Sequence, residues 1–239
     1  MPFVWILQHM TCEGPGLVEE ALFSRGVVTV PVRGHTGQPV PEKMGHASGL
    51  VLLGGPQSVL DLKRHPWMRS ELRLVEDALK LDLPVLGICL GSHILASALG
   101  ARITRAPQKE IGWHPVRLTE AGSADALLID TPSPLTAWHW HGDVLDLPER
   151  ATLLASSDLT RNQAFRHSDN AWGFQYHMEA SAAGIWEMIG KFPADLEAAG
   201  IDPGGLLADM SDHLPALEAA GLSVFGRWVA MLDRHALVV

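Results

Sequence analysis

One cysteine in this sequence stands where a reactive side chain is expected. Cys89 lies in GICLG, residues 87–91, where an apolar run gives way to a helical pattern. Gly87 and Gly91 permit a sharp strand-to-helix turn and close passage of neighbouring backbone. The following helix would direct its N-terminal amides at the sulfur and favour the thiolate. The pattern predicts a nucleophilic Cys89; the alternative is a buried structural thiol.

A base for this thiol is offered by WGFQYHME, residues 172–179. His177 and Glu179 lie two residues apart at the end of an apolar run, so their side chains share one face of an extended strand. Glu179 would then accept a hydrogen bond from one imidazole nitrogen and leave the other for Cys89. We predict a Cys-His-Glu triad; the alternative is an ordinary strand-end histidine beside a solvated glutamate.

Backbone amides for a developing oxyanion are expected from two places. LLGGP, residues 52–56, is a second apolar run that ends in glycines, and it should lie beside the Cys89 strand in a parallel sheet. The N–H of Gly55 or Gly54, with the N–H of Leu90, would receive the negative oxygen of a tetrahedral intermediate. The alternative is a simple Gly-Gly turn.

The elements that carry these residues predict an α/β fold. Apolar runs at 3–7, 27–32, 48–53 and 85–88 alternate with helical patterns, which is typical of a parallel sheet covered on both faces by helices. Short β-like runs follow residue 100, and helical patterns return from residue 180. With no linker visible, we expect a single domain over 1–239, with a core of about 3–180 and a helical C-terminal extension of about 181–239.

Composition narrows the class of protein. The net charge of −9 argues against a nucleic-acid partner, which would need a basic surface. No apolar run approaches the roughly 20 residues of a membrane helix, and MPFVWILQHM lacks the basic start of a signal peptide. We therefore expect a cytoplasmic protein that does not contact a membrane and keeps Cys12 and Cys89 reduced.

Together the motifs resemble those of the class I (triad-type) glutamine amidotransferases, particularly the amidotransferase domain of GMP synthetase and its stand-alone relatives. GGPQSV, PVLGICLGSHILASALGA, EIGWHPV, HWHGD and WGFQYHME occur in that family's order and spacing, over about residues 3–180. The resemblance implies a flavodoxin-like three-layer α/β fold with a mostly parallel central sheet, and no cofactor. It also implies that a thiolate attacks the γ-carboxamide of glutamine, ammonia leaves, and water hydrolyses the thioester.

Candidate substrate contacts are Gly54, His93, Glu110, His141 and Asp143. His93 stands where the family has glutamine in G-x-C-x-G-x-Q, and an imidazole cannot offer the donor and acceptor of a carboxamide.

A second departure from the family is milder, since H-P-E reads His177-Met178-Glu179 here. Three functions stay open: glutamine hydrolysis, with a separate synthetase subunit accepting the ammonia; hydrolysis of γ-glutamyl peptides or amides with no acceptor; and a non-catalytic binding or regulatory subunit.

A metal site is the rival interpretation of HWHGD. His139, His141 and Asp143 alternate and so share one strand face, with His167 or His177 as a further ligand. Because the resemblance places this segment beside the triad, we expect pocket-wall residues and no metal. The apolar positions of the C-terminal extension predict packing on the core or a homodimer face.

Overall fold

A nine-stranded sheet forms the centre of the computed structural model, which describes residues 2–235 and side chains up to residue 232. The strands are β1 (Phe3–Leu7), β2 (Val28–Val32), β3 (Gly49–Leu52), β4 (Val85–Ile88), β5 (Ile103–Leu118), β6 (Leu135–Leu145), β7 (Ala151–Ser156), β8 (Ala164–His167) and β9 (Ala171–Phe174). Their order across the sheet is β2-β1-β3-β4-β9-β8-β7-β5-β6.

The sheet is mixed. Strands β2, β1, β3, β4 and β9 pair in parallel, and β3 lies beside β4 as the sequence predicts. The remaining pairs, from β9 through β8, β7 and β5 to β6, are antiparallel. Loops as short as residues 168–170 join neighbouring strands only in the antiparallel sense. The parallel character predicted for the sheet therefore applies to the half that contains the start of the chain.

Helices cover both faces, as predicted. Their bounds are α1 (Gly16–Ser24), α2 (Met68–Lys80), α3 (Leu90–Ala98), α4 (Glu120–Ser123), α5 (Ala182–Lys191), α6 (Pro193–Ala199) and α7 (Pro203–His235). Buried residues of α1, α5 and α7 share one hydrophobic cluster, and those of α2 and α3 share the other. The three-layer α/β fold is thus present.

The C-terminal extension is helical over most of its length and packs on the sheet and on α1. Val224, Phe225 and Trp228 of α7 are completely or almost completely buried. The last four residues of the predicted extension, 236–239, lie outside the described residues. None of the helices found in residues 2–235 is both long enough and apolar enough to cross a membrane.

The turn between β4 and α3 has the strained geometry that GICLG predicts. Cys89 has φ +51° and ψ −112°, a backbone conformation that residues other than glycine rarely adopt. A methyl group on Gly91 would overlap the Leu52 carbonyl, and one on Gly87 would come within 2.6 Å of the Gly91 oxygen. Both glycines are therefore required for β3, β4 and α3 to approach each other at this turn.

Candidate active site

Cys89 lies on the wall of a cavity of about 250 Å³ at the carboxyl ends of the parallel strands. This edge of an open α/β sheet is where ligands usually bind. Several of the predicted site residues line the same cavity: Gly55, Leu90, His93, His141 and Asp143. Four predicted site residues do not line this cavity: His177 and Glu179 line a neighbouring cavity that shares Glu13 with it, and Gly54 and Glu110 are described below.

Cys89, His177 and Glu179 lie side by side. The Cys89 sulfur and a ring nitrogen of His177 are within 4.8 Å of each other. Nδ1 of His177 is 2.6 Å from Oε1 of Glu179, and Nε2 has no hydrogen-bond partner among the described residues. Since Glu179 holds Nδ1, Nε2 is the nitrogen left for exchange of a proton with Cys89 and with a bound substrate.

The electrostatics of this group favour a protonated imidazole. Burial by itself lowers the pKa of His177, but the neighbouring Glu179 carboxylate and the Cys89 sulfur outweigh burial and raise the pKa well above its ordinary value. An imidazolium in this position carries the proton that a departing nitrogen needs, so the arrangement suits general acid catalysis.

Two cavity-lining residues beside Cys89 have backbone N–H groups that are available to a ligand. These are Gly55 and Leu90, and the N–H of neither residue donates to an acceptor within residues 2–235. Gly54 lies off the cavity wall: its carbonyl is 3.3 Å from Nδ1 of His9, whose Nε2 is 3.2 Å from Glu71. The arrangement can receive an oxyanion at Gly55 and Leu90, while His9 fixes the loop that carries them.

Residues 140–143 of the HWHGD segment line the cavity, and its first residue, His139, is buried. The Asp143 carboxylate accepts hydrogen bonds from Ser58, at 2.5 Å, and from Arg105, at 2.7 Å. Both of its oxygens are thereby engaged, so Asp143 faces the cavity as part of a fixed network. His141 lines the cavity next to it, whereas His139 is completely buried.

Glu110 lies behind His141 and does not reach the cavity. Its oxygens accept hydrogen bonds from Ser157, at 2.6 Å, and Gln163, at 2.8 Å, and Oε2 is 3.4 Å from Nε2 of His141. Burial raises the pKa of Glu110, but the contacts with His141, His139 and Ser157 outweigh it and lower the pKa to about 2. Glu110 is thus an ionised support for His141.

Glu110, His139 and His141 form a possible ligand set, with one potential ligand atom from each within 4.8 Å of the others. Asp143, which the sequence offered as third ligand, instead pairs with Ser58 and Arg105. Because protein donors already satisfy both oxygens of Glu110, the buried carboxylate is satisfied without a cation. We assign no metal to this cluster.

A family model for class I glutamine amidotransferases matches residues 17–184. The chain belongs to this family. It is 35% identical over 189 residues to the glutamine amidotransferase-like protein YfeJ of Salmonella typhimurium, covering 78% of this chain and 79% of that protein. It is also 35% identical over 147 residues to the GMP synthase of Bacillus subtilis, covering 61% of this chain but 27% of the synthase.

Solved amidotransferase structures share the whole architecture. A glutamine amidotransferase from Thermotoga maritima superposes with a TM-score of 0.86 at 31% identity, covering 95% of this chain and 98% of that one. One from Methylobacillus flagellatus also gives 0.86, at 30% identity, with 96% and 94% covered. These likenesses include the C-terminal helices, which the sequence motifs did not reach.

His93 is the main departure of this chain from the family pattern. Its Nε2 is 3.1 Å from Oε1 of Gln175, whose Nε2 donates to the Asp143 carbonyl at 2.7 Å. Gln175 therefore presents its acceptor oxygen, and Nε2 of His93 must carry the hydrogen. Burial and the nearby His141 lower the pKa of His93 to about 4, so it is neutral at pH 7 and its Nδ1 is an acceptor only.

Several cavity residues were not predicted from the sequence, and three of them come from segments that no motif singled out. Glu13 comes from the loop after β1, and Phe192 and Asp195 come from the C-terminal extension. Asp195 pairs with Lys109 of β5 at 2.5 Å and accepts from Trp140 at 3.2 Å. Of these three residues, only Glu13 had a signal in the sequence. It follows an apolar run by six residues, which could have placed it at the carboxyl edge of the sheet.

Proposed function

We propose that this amidotransferase hydrolyses the γ-carboxamide of glutamine through a thioester on Cys89, with His177 as proton carrier and Glu179 as its orienting partner. One observation carries the proposal: a cysteine on a strained turn lies within 4.8 Å of a buried imidazole whose other nitrogen is held by a carboxylate. This is the geometry of a nucleophile, a base and an orienting acid.

The reaction divides into two half-reactions. The Cys89 thiolate adds to the carboxamide carbon, and the N–H groups of Gly55 and Leu90 hold the oxyanion. Protonated His177 gives its proton to the nitrogen, the C–N bond breaks and ammonia leaves. Neutral His177 then takes a proton from water as the hydroxyl adds to the thioester carbon. The C–S bond breaks, which releases glutamate and restores the thiolate beside the imidazolium.

A separate synthetase subunit is the proposed acceptor of the ammonia. Its support is the likeness to GMP synthase, in which the segment similar to this chain makes up about a quarter of the protein, 27% of its length. Ammonia would pass to such a partner from the cavity that Cys89 lines, whose wall includes Phe192 and Asp195 of the C-terminal extension.

A second candidate function is hydrolysis of γ-glutamyl peptides or amides without an acceptor, and His93 is the observation that favours it. Its Nδ1 can accept a hydrogen bond but cannot donate one, unlike the glutamine of the family pattern. A substrate contact that needs a donor at this position is lost, which would weaken binding of free glutamine relative to other γ-glutamyl compounds.

Turnover of two substrates distinguishes these functions. We expect the protein to convert glutamine to glutamate and ammonia in equal amounts, with release of alanine from γ-glutamylalanine at least about 100-fold slower. Glutamate and ammonia are measured enzymatically, and alanine by chromatography. Faster hydrolysis of the dipeptide would establish the second function, and no turnover of either substrate would favour a non-catalytic subunit.

A further inference from the structure

Glu13 is a buried acidic residue that the reaction described above does not use. It lies in the loop between β1 and α1, and it is 7% exposed. One of its carboxylate oxygens, the Cys89 sulfur and a ring nitrogen of His177 all lie within 4.8 Å of one another. No hydrogen-bond donor among the described residues reaches this carboxylate. A charged acceptor that receives no hydrogen bond from the described residues therefore stands next to the reacting atoms, on the wall shared by two cavities.

Glu13 lies on the same side of Cys89 as His177. A methyl group on Gly54 would overlap the Glu13 carboxylate and come within 3.0 Å of the His177 ring, so both groups pack against Gly54. In the tetrahedral intermediate the substrate carbon is bonded to the Cys89 sulfur, and His177 must reach the leaving nitrogen on that carbon to protonate it. A group close to both Cys89 and His177 is therefore close to that nitrogen.

The oxyanion is not a suitable partner for Glu13. A carboxylate repels a second negative oxygen, and Gly55 and Leu90 already offer unoccupied N–H groups for it. The substrate's remaining polar group at the reaction centre is the nitrogen, which carries hydrogens that a carboxylate can accept.

We propose that Glu13 accepts a hydrogen bond from the leaving nitrogen and thereby selects substrates whose carboxamide is unsubstituted. The proposal rests on the proposed function and names its substrate class, primary γ-amides. An N–H directed at Glu13 gives the buried carboxylate the partner it lacks. A carbon substituent directed there leaves the carboxylate buried and unpaired, and such a loss discriminates strongly between substrates. Glu13 forms no covalent bond, and the proton for ammonia comes from His177.

Burial raises the pKa of Glu13 to about 6, with His177 lowering it and Glu179 raising it to lesser extents. The carboxyl is therefore mostly ionised at pH 7.5, as acceptance of an N–H bond requires.

The test compares kcat/KM for glutamine and for γ-glutamylmethylamide, which differ by one methyl group on the leaving nitrogen. We expect the wild-type protein to prefer glutamine by about 10³-fold or more. Glu13→Ala should lower kcat/KM for glutamine about 100-fold and change that for the methylamide less than about 3-fold. Glu13→Gln, which retains the shape and an acceptor oxygen, should lie between the two. Glu187→Ala is the matched control, because Glu187 is exposed and lines the neighbouring cavity that Glu13 also touches, but not the cavity that Cys89 lines.

The outcomes separate this inference from the proposed function. If Glu13 merely supports His177, both substrates lose activity equally and the preference is unchanged, which overturns the inference alone. If the wild-type protein turns over neither substrate and a reactive glutamine analogue leaves Cys89 unmodified, the proposed function fails and the inference with it. If Glu13→Ala unfolds, the test rests on the preference of Glu13→Gln for glutamine over the methylamide. A ratio of the two kcat/KM values equal to that of the wild-type protein would contradict the inference.

The pH dependence of the preference is a second readout. The titratable side chains that face the Glu13 carboxyl are His9, Cys12, Cys89, His177 and Glu179. The triad serves both substrates, so its titration cancels in the ratio of the two kcat/KM values. Glu13 is ionised above about pH 6 and protonated below it. We expect the wild-type preference to fall as the pH drops through about 6 and that of Glu13→Gln to stay constant; a constant wild-type ratio would count against Glu13.

Discussion

Replacing Cys89 by alanine is expected to lower kcat for glutamine hydrolysis by at least about 10⁴-fold. Without the sulfur no thioester forms, and water would have to attack the amide directly. The fold should survive, because Cys89 is small and its sulfur makes one hydrogen bond, at 3.7 Å, to the Trp140 carbonyl. Alanine also tolerates the φ of +51° no worse than cysteine does. The measurement is ammonia release under saturating glutamine, with a thermal melt to verify folding.

Cys12→Ala is the matched control for this change. Cys12 is the other cysteine of the chain, it is partly exposed, and it lies in the loop after β1 away from the cavity that Cys89 lines. Its removal should leave kcat within about 3-fold of wild type, as surface substitutions usually do. Turnover that survives in Cys89→Ala but is lost in Cys12→Ala would show that Cys12, and not Cys89, is the nucleophile.

Glu179→Gln is expected to lower kcat by about 10³- to 10⁴-fold with little effect on folding. The carboxylate accepts from Nδ1 of His177 and stabilises the imidazolium. An amide in its place can donate to Nδ1, which moves the hydrogen to Nε2 and leaves no acceptor for the thiol proton. Burial lowers the pKa of His177, and without the Glu179 carboxylate less would counteract it, so the pKa should fall. The residual activity should therefore fall off at lower pH than in the wild-type protein, because protonated His177 is the general acid.

A pH profile of kcat for Glu179→Gln, beside that of Glu187→Gln, measures this effect. Glu187 is an exposed glutamate of α5, and its change to glutamine should leave both the rate and the profile unaltered. A Glu179→Gln protein with wild-type kcat and an unshifted alkaline limb would show that Glu179 does not orient His177.

Features encoded by short stretches of sequence were predicted well. The turn at Cys89 depends on the two glycines that bracket it, and both meet backbone that excludes a methyl group. The pairing of His177 with Glu179 depends on two positions two residues apart. The strand predicted to carry them ends earlier, at Phe174, and His177 is held by an isolated bridge to Trp138. Local spacing determines both arrangements, so they could be inferred without knowing how the strands are ordered.

Features that depend on how distant elements meet could not be predicted. Glu13 reaches Cys89 because β1 lies beside β3, and strand order is not encoded in the spacing of apolar residues. Asp195 closes one side of the cavity because α6 follows the turn after α5 and pairs with β5. Glu110 was placed at the pocket wall, whereas the antiparallel pairing of β5 with β6 puts it behind His141.

Mass spectrometry of the protein treated with 6-diazo-5-oxo-L-norleucine, a reactive glutamine analogue, tests the central proposal most directly. The analogue alkylates a thiolate that attacks a bound glutamine side chain, and peptide mapping identifies the modified residue. We predict one adduct per chain, on Cys89, that excess glutamine prevents and that Cys89→Ala lacks. A protein that remains unmodified, or carries the adduct on Cys12, would contradict a glutamine-binding site with Cys89 as its nucleophile.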